Sequence, residues 1–198
     1  MKKRILALLI FFLSVNLGYS QSQLLDVHFT LGFPVSNLAD HIDVVSPRGL
    51  GADYRLFIDD NLTFGIGVSM SSFCNNLPSD SYTFDTITVS GIQYHYYTSI
   101  PIHAYCTYYL GMEEAPIRPY AGMGIGATMN RKRTVVRDFE IEQKGWQFSL
   151  QPELGMLFKA TDYSSLMLSG RFNYPFNSSE IDSHPYFSLN VGLSFGIK

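Results

Sequence analysis

Seven ionisable side chains lie within short segments in which polar and apolar residues alternate, and they are the first candidates for chemistry. Each occupies the polar phase of its segment, so the seven would share one face if the segments were strands. Acids, guanidinium groups and imidazoles gathered on one face could relay protons or ions, or could neutralise one another as a fixed cluster. The residues are Asp26, His28, Asp53, Arg55, His103, Glu153 and Arg171.

A second set of ionisable residues falls between the alternating segments. Histidines beside acids could act as general acids and bases in a hydrolase. Neither a His-x-x-x-His spacing nor a nucleophile elbow accompanies them, so the sequence predicts no enzyme activity, no metal and no cofactor. A hydrolase is the alternative, and loss of an activity on replacing His95 or His184 would support it. The set consists of His41, His95, His184, Asp40, Asp43, Asp85 and Asp182.

Eight segments alternate with a period of two residues, and no helical period competes, so all eight are predicted to be strands. Their connections are alternately short and long, which is typical of an outer-membrane barrel. The predicted fold class is an all-β, eight-stranded, antiparallel, up-and-down transmembrane β-barrel. The segments are 25–33, 50–58, 62–70, 98–110, 119–129, 146–158, 166–174 and 187–197. The short connections are 59–61, 111–117 and 159–163, and the long ones are 34–47, 74–91, 130–145 and 175–185.

The beginning of the chain has the three parts of a secretory signal peptide. A basic start precedes an apolar run over 5–13, and the small residues Gly18 and Ser20 follow. The apolar run is shorter than the ~20 residues of a membrane-spanning helix, which argues against an N-terminal membrane anchor. Residues 1–20 are predicted to be a signal peptide, and 21–198 a single barrel domain exported to the outer membrane.

The composition excludes several classes of function. The chain has 198 residues, a formal net charge of −3 and only 16% charged residues, well below the roughly 25% of soluble domains. A nucleic-acid partner is not expected for an acidic chain of this kind. Aromatic residues reach 15%, which suits strands that meet a lipid interface.

The two faces of the predicted strands differ in the solvent that each can meet. The apolar phase contains no charged residue, whereas the polar phase consists mostly of Gly, Ser, Thr, Asn, Gln and Tyr. A soluble barrel of the lipocalin kind would carry Lys and Glu on its outer face, because side-chain length is not limited there. The apolar face is therefore predicted to contact outer-membrane lipids, with the protein as a monomer.

The polar phase then lines the interior. An eight-stranded ring is just wide enough to be filled by its own side chains. We therefore expect the seven ionisable residues to form a packed, salt-bridged plug in which Asp26 pairs with Arg55. Glycines such as Gly67 and Gly124 would leave room for Tyr105 and similar side chains. A proton or ion path and a small-solute pore are the alternatives.

The middle of the chain carries features of a known family. An Ile-Pro-Ile run at 100–102 is followed, after a turn, by Pro119, Tyr120 and Gly124 in the next predicted strand. This pattern resembles PorT-like outer-membrane barrels, and the overall plan is similar to that of OmpX-like eight-stranded barrels. Ser99 stands where an acidic residue commonly precedes the Ile-Pro pair. The resemblance implies the barrel fold and an outer-membrane location, and one such protein is implicated in protein secretion.

Two of the long connections have strand character of their own. Residues 84–97 alternate with a change of phase at Gly91, where a bulge is expected, and 131–144 also have strand character. The fourth, fifth and sixth strands could therefore continue as a protruding sheet whose edge captures a partner strand. Long mobile loops are the alternative.

A basic run lies at the base of the second of these connections. Arg131, Lys132 and Arg133 could contact lipopolysaccharide phosphates, with ordinary solvated loop charge as the alternative. The sequence therefore favours a non-enzymatic outer-membrane protein with a plugged lumen that acts through its outer loops and a possible protein partner. Surface interaction, secretion support and envelope integrity all stay open as roles.

Overall fold

The computed structural model describes residues 22–39, 42, 44–84, 87–112, 115–136 and 139–197, with the backbone alone at 76–84, 87–93, 136, 139 and 140. The predicted signal peptide lies outside these residues, as do His41, Asp40, Asp43 and Asp85. Among the residues described, no helix is long and apolar enough to cross a membrane.

Eight antiparallel strands form one closed barrel, which confirms the predicted fold class. Each strand pairs with its neighbours in chain order, and the first pairs with the last, so the ring has no open edge. A short 3-10 helix, Ser36–Leu38, follows the first strand. The strands are β1 (Gln23–Pro34), β2 (Ser46–Phe57), β3 (Leu62–Phe84), β4 (Ile87–Tyr109), β5 (Ile117–Val136), β6 (Phe139–Lys159), β7 (Ser164–Pro175) and β8 (Tyr186–Ile197).

Alternation along each strand separates an outward apolar face from an inward polar face. Along β4, for example, His103, Tyr105 and Thr107 are buried, whereas Ile102 and Tyr108 are about half exposed. Because successive side chains of a strand point to opposite faces, the polar phase of the sequence becomes the interior. The apolar phase becomes a continuous belt of exposed hydrophobic side chains around the barrel.

Inward-facing glycines make room for the large inward-facing side chains. A Cβ atom added at Gly124 would lie 2.7 Å from the Tyr105 ring, and one added at Gly155 would collide with the Tyr120 ring. The interior of an eight-stranded ring holds little volume, so a large side chain needs a small residue beside it. Gly67 and Gly124 both lie beside the Tyr105 ring, which agrees with the expectation that inward-facing glycines leave room for large side chains.

Four strands continue well past the other four. β3, β4, β5 and β6 contain 23, 23, 20 and 21 residues, whereas β1, β2, β7 and β8 contain 12 each. The β2–β3 ladder ends at Ser71 and the β6–β7 ladder ends at Ser149. The parts of β3 to β6 beyond these points form a four-stranded sheet outside the barrel, which we call the projecting sheet.

The projecting sheet corrects part of the sequence-based prediction. Residues 74–91 and 130–145, predicted as long connections, are mostly strand because main-chain pairing continues outside the apolar belt. The third strand takes part as well as the fourth to sixth. The irregularity expected at Gly91 lies beside it, with the extra residue in β3 between Leu77 and Asp80.

Apolar clusters close the interior at both ends. Near the projecting sheet, Leu38 and Ile42 of the first long loop pack with three ring-bearing side chains of the barrel, which are Phe73, Tyr97 and Tyr186. At the end with the short turns, the cluster consists of Tyr109, Tyr120, Leu157 and Met167. The ionisable residues of the interior lie between these two clusters.

Candidate functional site

Glu153 on β6 is the centre of the polar interior. The Nη2 atom of Arg55 donates to both carboxylate oxygens of Glu153 at 3.1 Å. The Nη2 atom of Arg171 donates to one of the same oxygens at 3.0 Å. One buried carboxylate therefore joins the two arginines of the interior set, which come from β2 and β7.

The two aspartates extend this cluster. Asp53 accepts a short hydrogen bond from Arg171, and its carboxylate lies 3.3 Å from Nη2 of Arg55. The Nε atom of Arg55 lies 3.2 Å from a carboxylate oxygen of Asp26, so the pair expected from the sequence is present. Three carboxylates face two guanidinium groups, and such pairing is what permits charged groups to be buried.

Tyrosine side chains add further hydrogen bonds to the cluster, and an amide binds a tyrosine beside it. The Tyr120 hydroxyl donates to Glu153 at 3.0 Å, and Arg55 donates to the Tyr109 hydroxyl at 3.3 Å. Tyr105 donates to the amide oxygen of Gln151. The sequence predicts these tyrosines only as large inward-facing side chains, although their place on the polar phase is a usable signal of hydrogen bonding.

The two histidines of the interior set lie at the margin of the cluster. A ring nitrogen of His28 is 3.9 Å from the Asp53 carboxylate. The Nε2 atom of His103 is 2.8 Å from the Ser149 hydroxyl. The two imidazoles therefore have different surroundings, since His28 lies beside a carboxylate of the cluster and His103 beside a hydroxyl.

The interior cluster is a fixed plug in its geometry. Each of its seven ionisable side chains is at most 2% exposed. Every charged member contacts an opposite charge, which leaves no charged group of the set directed at either mouth. In the described part of the chain, no group of three or more His, Cys, Asp or Glu side chains is arranged to hold a metal ion.

The last long loop, over 176–185, covers the mouth beside the projecting sheet, and we call it the lid. The side-chain amide of Gln147 donates to the carbonyl oxygens of Phe176 and Ile181 at 2.8 and 3.0 Å. Asn37 of the first long loop donates to the carbonyl oxygen of Ser183 at 3.2 Å. The lid is therefore tied both to β6 and to the loop across the mouth.

His184 belongs to the lid, and its side chain is buried. Its ring lies 5.3 Å from the Tyr97 ring, and its Nδ1 atom is 2.7 Å from the Asp182 carbonyl oxygen. Burial lowers the pKa of His184, because the charged imidazolium would lose its hydration there. His184, one of the three histidines considered for the alternative hydrolase, is thus part of the lid packing.

Positive charge concentrates on the outward face of the projecting sheet, close to the barrel. Arg131 lies directly opposite Lys144 in the register of the β5–β6 ladder, and Arg133 lies two residues farther along the same face. Arg131 donates to the Glu142 carboxylate at 2.7 Å, and the Arg133 guanidinium lies 5.8 Å from the Tyr96 ring centre. We call Arg131, Arg133 and Lys144 the basic patch.

The structure separates Lys132 from the two arginines that flank it. Lys132 pairs with the buried Tyr97 and shares the inward face with Asn130. Its amine is partly buried, which lowers the pKa of Lys132. The outward face has Lys144 beside Arg131 instead. The register of the hairpin brings these two residues together, although they are distant in sequence.

No protein-family model and no curated protein matches this chain. Solved structures are similar to it in fold. Neisserial surface protein A (NspA) is 15% identical, with a TM-score of 0.59 over 89% of this chain and 97% of that one. The attachment invasion locus protein Ail of Yersinia pestis, in complex with the heparin analogue sucrose octasulfate, is 12% identical. Its TM-score is 0.56 over 90% of this chain and 100% of that one.

A protease has a similar fold as well. The outer-membrane protease OmpT of Escherichia coli is 9% identical, with a TM-score of 0.51 over 90% of this chain and 97% of that one. At these identities the similarity shows a common barrel fold and carries no activity across. Membership of the PorT-like group stays a prediction from the sequence. The chain forms a closed eight-stranded antiparallel barrel, and its fold is similar to that of these outer-membrane barrels.

Proposed function

We propose that this protein is a non-enzymatic barrel of the outer membrane that acts at the cell surface through its projecting sheet. The observation that carries the proposal is the contrast between the interior of the barrel and the sheet that extends beyond it. The interior is filled by a paired, buried cluster, whereas four strands extend beyond the barrel as a separate sheet. The barrel then serves as the anchor and the projecting sheet as the working surface.

The outward belt supports a membrane location. Exposed hydrophobic side chains such as Leu50, Ile66, Ile125 and Leu154 surround the barrel, and their exposure reaches 70% at Leu154. Water would make such a belt an aggregation surface, whereas lipid tails match it. The signal peptide predicted over 1–20 agrees with export to the outer membrane.

The basic patch supports a contact with anionic groups at the membrane surface. Arg131 and Lys144 lie two residues beyond Met129 and Trp146 along the same outward face, where the apolar belt ends. Guanidinium and ammonium groups at that level meet the phosphates of lipopolysaccharide, which arginine binds well. Arg133 adds a third positive charge on the same face, whereas Lys132 faces inward, away from that surface.

Two of the structural neighbours have surface roles in their names, and this agrees with the proposal. NspA is named as a surface protein, and Ail as an attachment invasion protein with a bound heparin analogue. A sulfated polymer is a second anionic ligand that the basic patch could hold. A hydrolase is the competing proposal, because OmpT is a protease of similar fold. Against it, His184 is a buried part of the lid packing.

The experiment is to trim the projecting sheet while leaving the barrel intact. Residues 75–95 and 131–144 are each replaced by an Asn-Gly turn, which suits a two-residue β-hairpin; the second replacement also removes the basic patch. We expect the trimmed protein to keep its heat-dependent mobility shift and its recovery from outer membranes. Binding of whole cells to heparin and to host surfaces should be lost, and full binding by cells carrying the trimmed protein would contradict the proposal.

A further inference from the structure

We propose that the outer edge of β6, over residues 141–147, binds an extended segment of a partner protein in which acidic and apolar residues alternate. The inference rests on the proposed role of the projecting sheet as the working surface. It assigns that role to one edge and one class of partner.

The backbone geometry shows which groups of β6 are available. The Phe176 amide donates to the Phe148 carbonyl oxygen at 2.8 Å, so residue 148 directs its main-chain groups toward β7. Main-chain groups of alternate strand residues point to the same side. Those of Trp146, Lys144 and Glu142 therefore point to the same side, where no described residue forms a backbone hydrogen bond with them.

The lid reaches the inward face of this edge at Gly145, where Glu180 and Ile181 lie, but it forms no backbone hydrogen bond with the free groups of residues 142, 144 and 146. After Phe176 the chain turns toward the barrel mouth, where Gln147 binds the carbonyl oxygens of Phe176, Ile181 and Asp182. Unpaired main-chain groups on a regular strand are a template for another strand. The β5–β6 ladder is regular over its whole length, with no register shift from Ile117↔Phe158 to Val136↔Phe139.

The opposite edge of the projecting sheet, formed by β3, is obstructed. Pro78 lies within the register shift between Leu77 and Asp80, and proline has no amide hydrogen to donate. The Ser46 hydroxyl donates to the carbonyl oxygen of Ser72, so the first long loop reaches the base of this edge. Bulges and prolines are devices that prevent strand addition, and β6 has neither over its free edge.

The side chains along β6 indicate the chemistry of the incoming segment. On the outward face Lys144 places a positive charge beside the free edge, opposite Arg131, which pairs with Glu142. Acidic side chains of a partner strand would be attracted to this face. Ile141 is 48% exposed on the inward face, so apolar side chains fit that face of the partner.

The direction of the partner strand follows from the barrel. β7 runs antiparallel to β6 and leaves the edge at Phe176. A partner strand that continues in the direction of β7 would extend the antiparallel ladder without a change of geometry. The recognition is β-augmentation, in which main-chain hydrogen bonds give affinity and alternate side chains give specificity.

The test uses the full-length mature protein in detergent and a synthetic peptide of about nine alternating Glu and Val residues, enough to span the edge at ~3.3 Å per residue. Lys144→Pro removes the amide hydrogen that faces the free edge and keeps the bonds to β5. Lys144→Thr removes the same charge but keeps that amide, so it is the matched control. We expect Lys144→Pro to weaken peptide binding at least about tenfold relative to Lys144→Thr.

Amide hydrogen exchange gives an independent measurement on the unmodified protein. We expect the amides of Glu142, Lys144 and Trp146 to exchange fast alone and to become protected when the peptide binds. Equal binding by the two variants, or tighter binding of a Lys/Val peptide, would overturn the inference. So would a dimer of the protein in detergent that Lys144→Pro abolishes, because the occupant would then be a second copy.

Failure of this inference is distinguishable from failure of the proposed function. If trimming the projecting sheet abolishes surface binding but Lys144→Pro does not, the sheet is the working surface and its β6 edge is not the contact. If trimming has no effect, the proposed function fails first.

Discussion

Single residues in the interior act as members of one ion cluster, and Glu153 has the most partners. Its carboxylate accepts hydrogen bonds from Arg55, Arg171 and Tyr120 at 3.0 to 3.1 Å. Removing its charge would leave Arg55 with two aspartates and Arg171 with Asp53, so the remaining charges still balance. The loss is that of charge-assisted hydrogen bonds at full burial, which are stronger than those between neutral groups.

We therefore expect Glu153→Gln to lower the free energy of unfolding by about 1.5–3 kcal/mol. The measurement is urea unfolding in detergent, followed by the heat-dependent mobility shift. Lys159→Gln is the control, since Lys159 pairs at 3.3 Å with the exposed Asp162 and such pairs contribute about 1 kcal/mol or less. A similar loss in both variants would mean that the cluster does not stabilise the barrel.

Sequence alone could identify the members of this cluster but not all of its contacts. The polar phase of each strand located the seven ionisable residues and the Asp26–Arg55 pair. The central position of Glu153 depends on the register between β6 and β7, where it pairs with Arg171. Register across strands is set by the closed ring and cannot be derived from one strand's alternation.

At the scale of elements, the lid is the part whose packing depends on a titratable group. The ring of His184 faces Tyr97, the carbonyl oxygen of Asp182 and the amine of Lys132, and burial lowers its pKa. The closed lid therefore prefers neutral His184. Its stability is complete above the ordinary histidine pKa of about 6.5 and falls as the pH drops below that value.

We expect lid amides to exchange faster at about pH 5.5 than at about pH 7.5, after correction for intrinsic rates. The Ser183 amide is a suitable reporter, because it donates to the Asn177 side chain at 2.7 Å. His184→Gln should remove most of the pH dependence while filling a similar volume. A pH dependence that persists in this variant would assign the effect to another group.

The lengths of the strands were harder to predict from the sequence than their number. Alternation of apolar and polar residues marks a strand only where one face meets an apolar environment. The ends of β3 to β6 extend beyond the apolar belt, and in 74–84 that signal fades although pairing continues. The lid was predicted only as a polar connection, because its contacts with Gln147 and Tyr97 are tertiary.

At the scale of the whole molecule, the plug and the two apolar end clusters leave the barrel without a described open path. Eight strands enclose an interior that side chains fill. We expect no stepwise conductance when the purified protein is reconstituted in a planar lipid bilayer in concentrated KCl. Openings of constant size in the intact protein, absent from a protein-free control, would support the small-solute pore instead.

The ion cluster also bears on how the chain reaches its final state. Arg55 and Glu153 are 98 residues apart in sequence, and Asp53 and Arg171 are 118 apart. These two contacts cross the interior between strands that are not neighbours, whereas Glu153–Arg171 and Asp26–Arg55 join neighbouring strands. A partial sheet can therefore form the second kind of contact, and the first kind waits for the ring to close. We expect closure of the ring to be the slow step of assembly, because it depends on contacts that are distant in sequence.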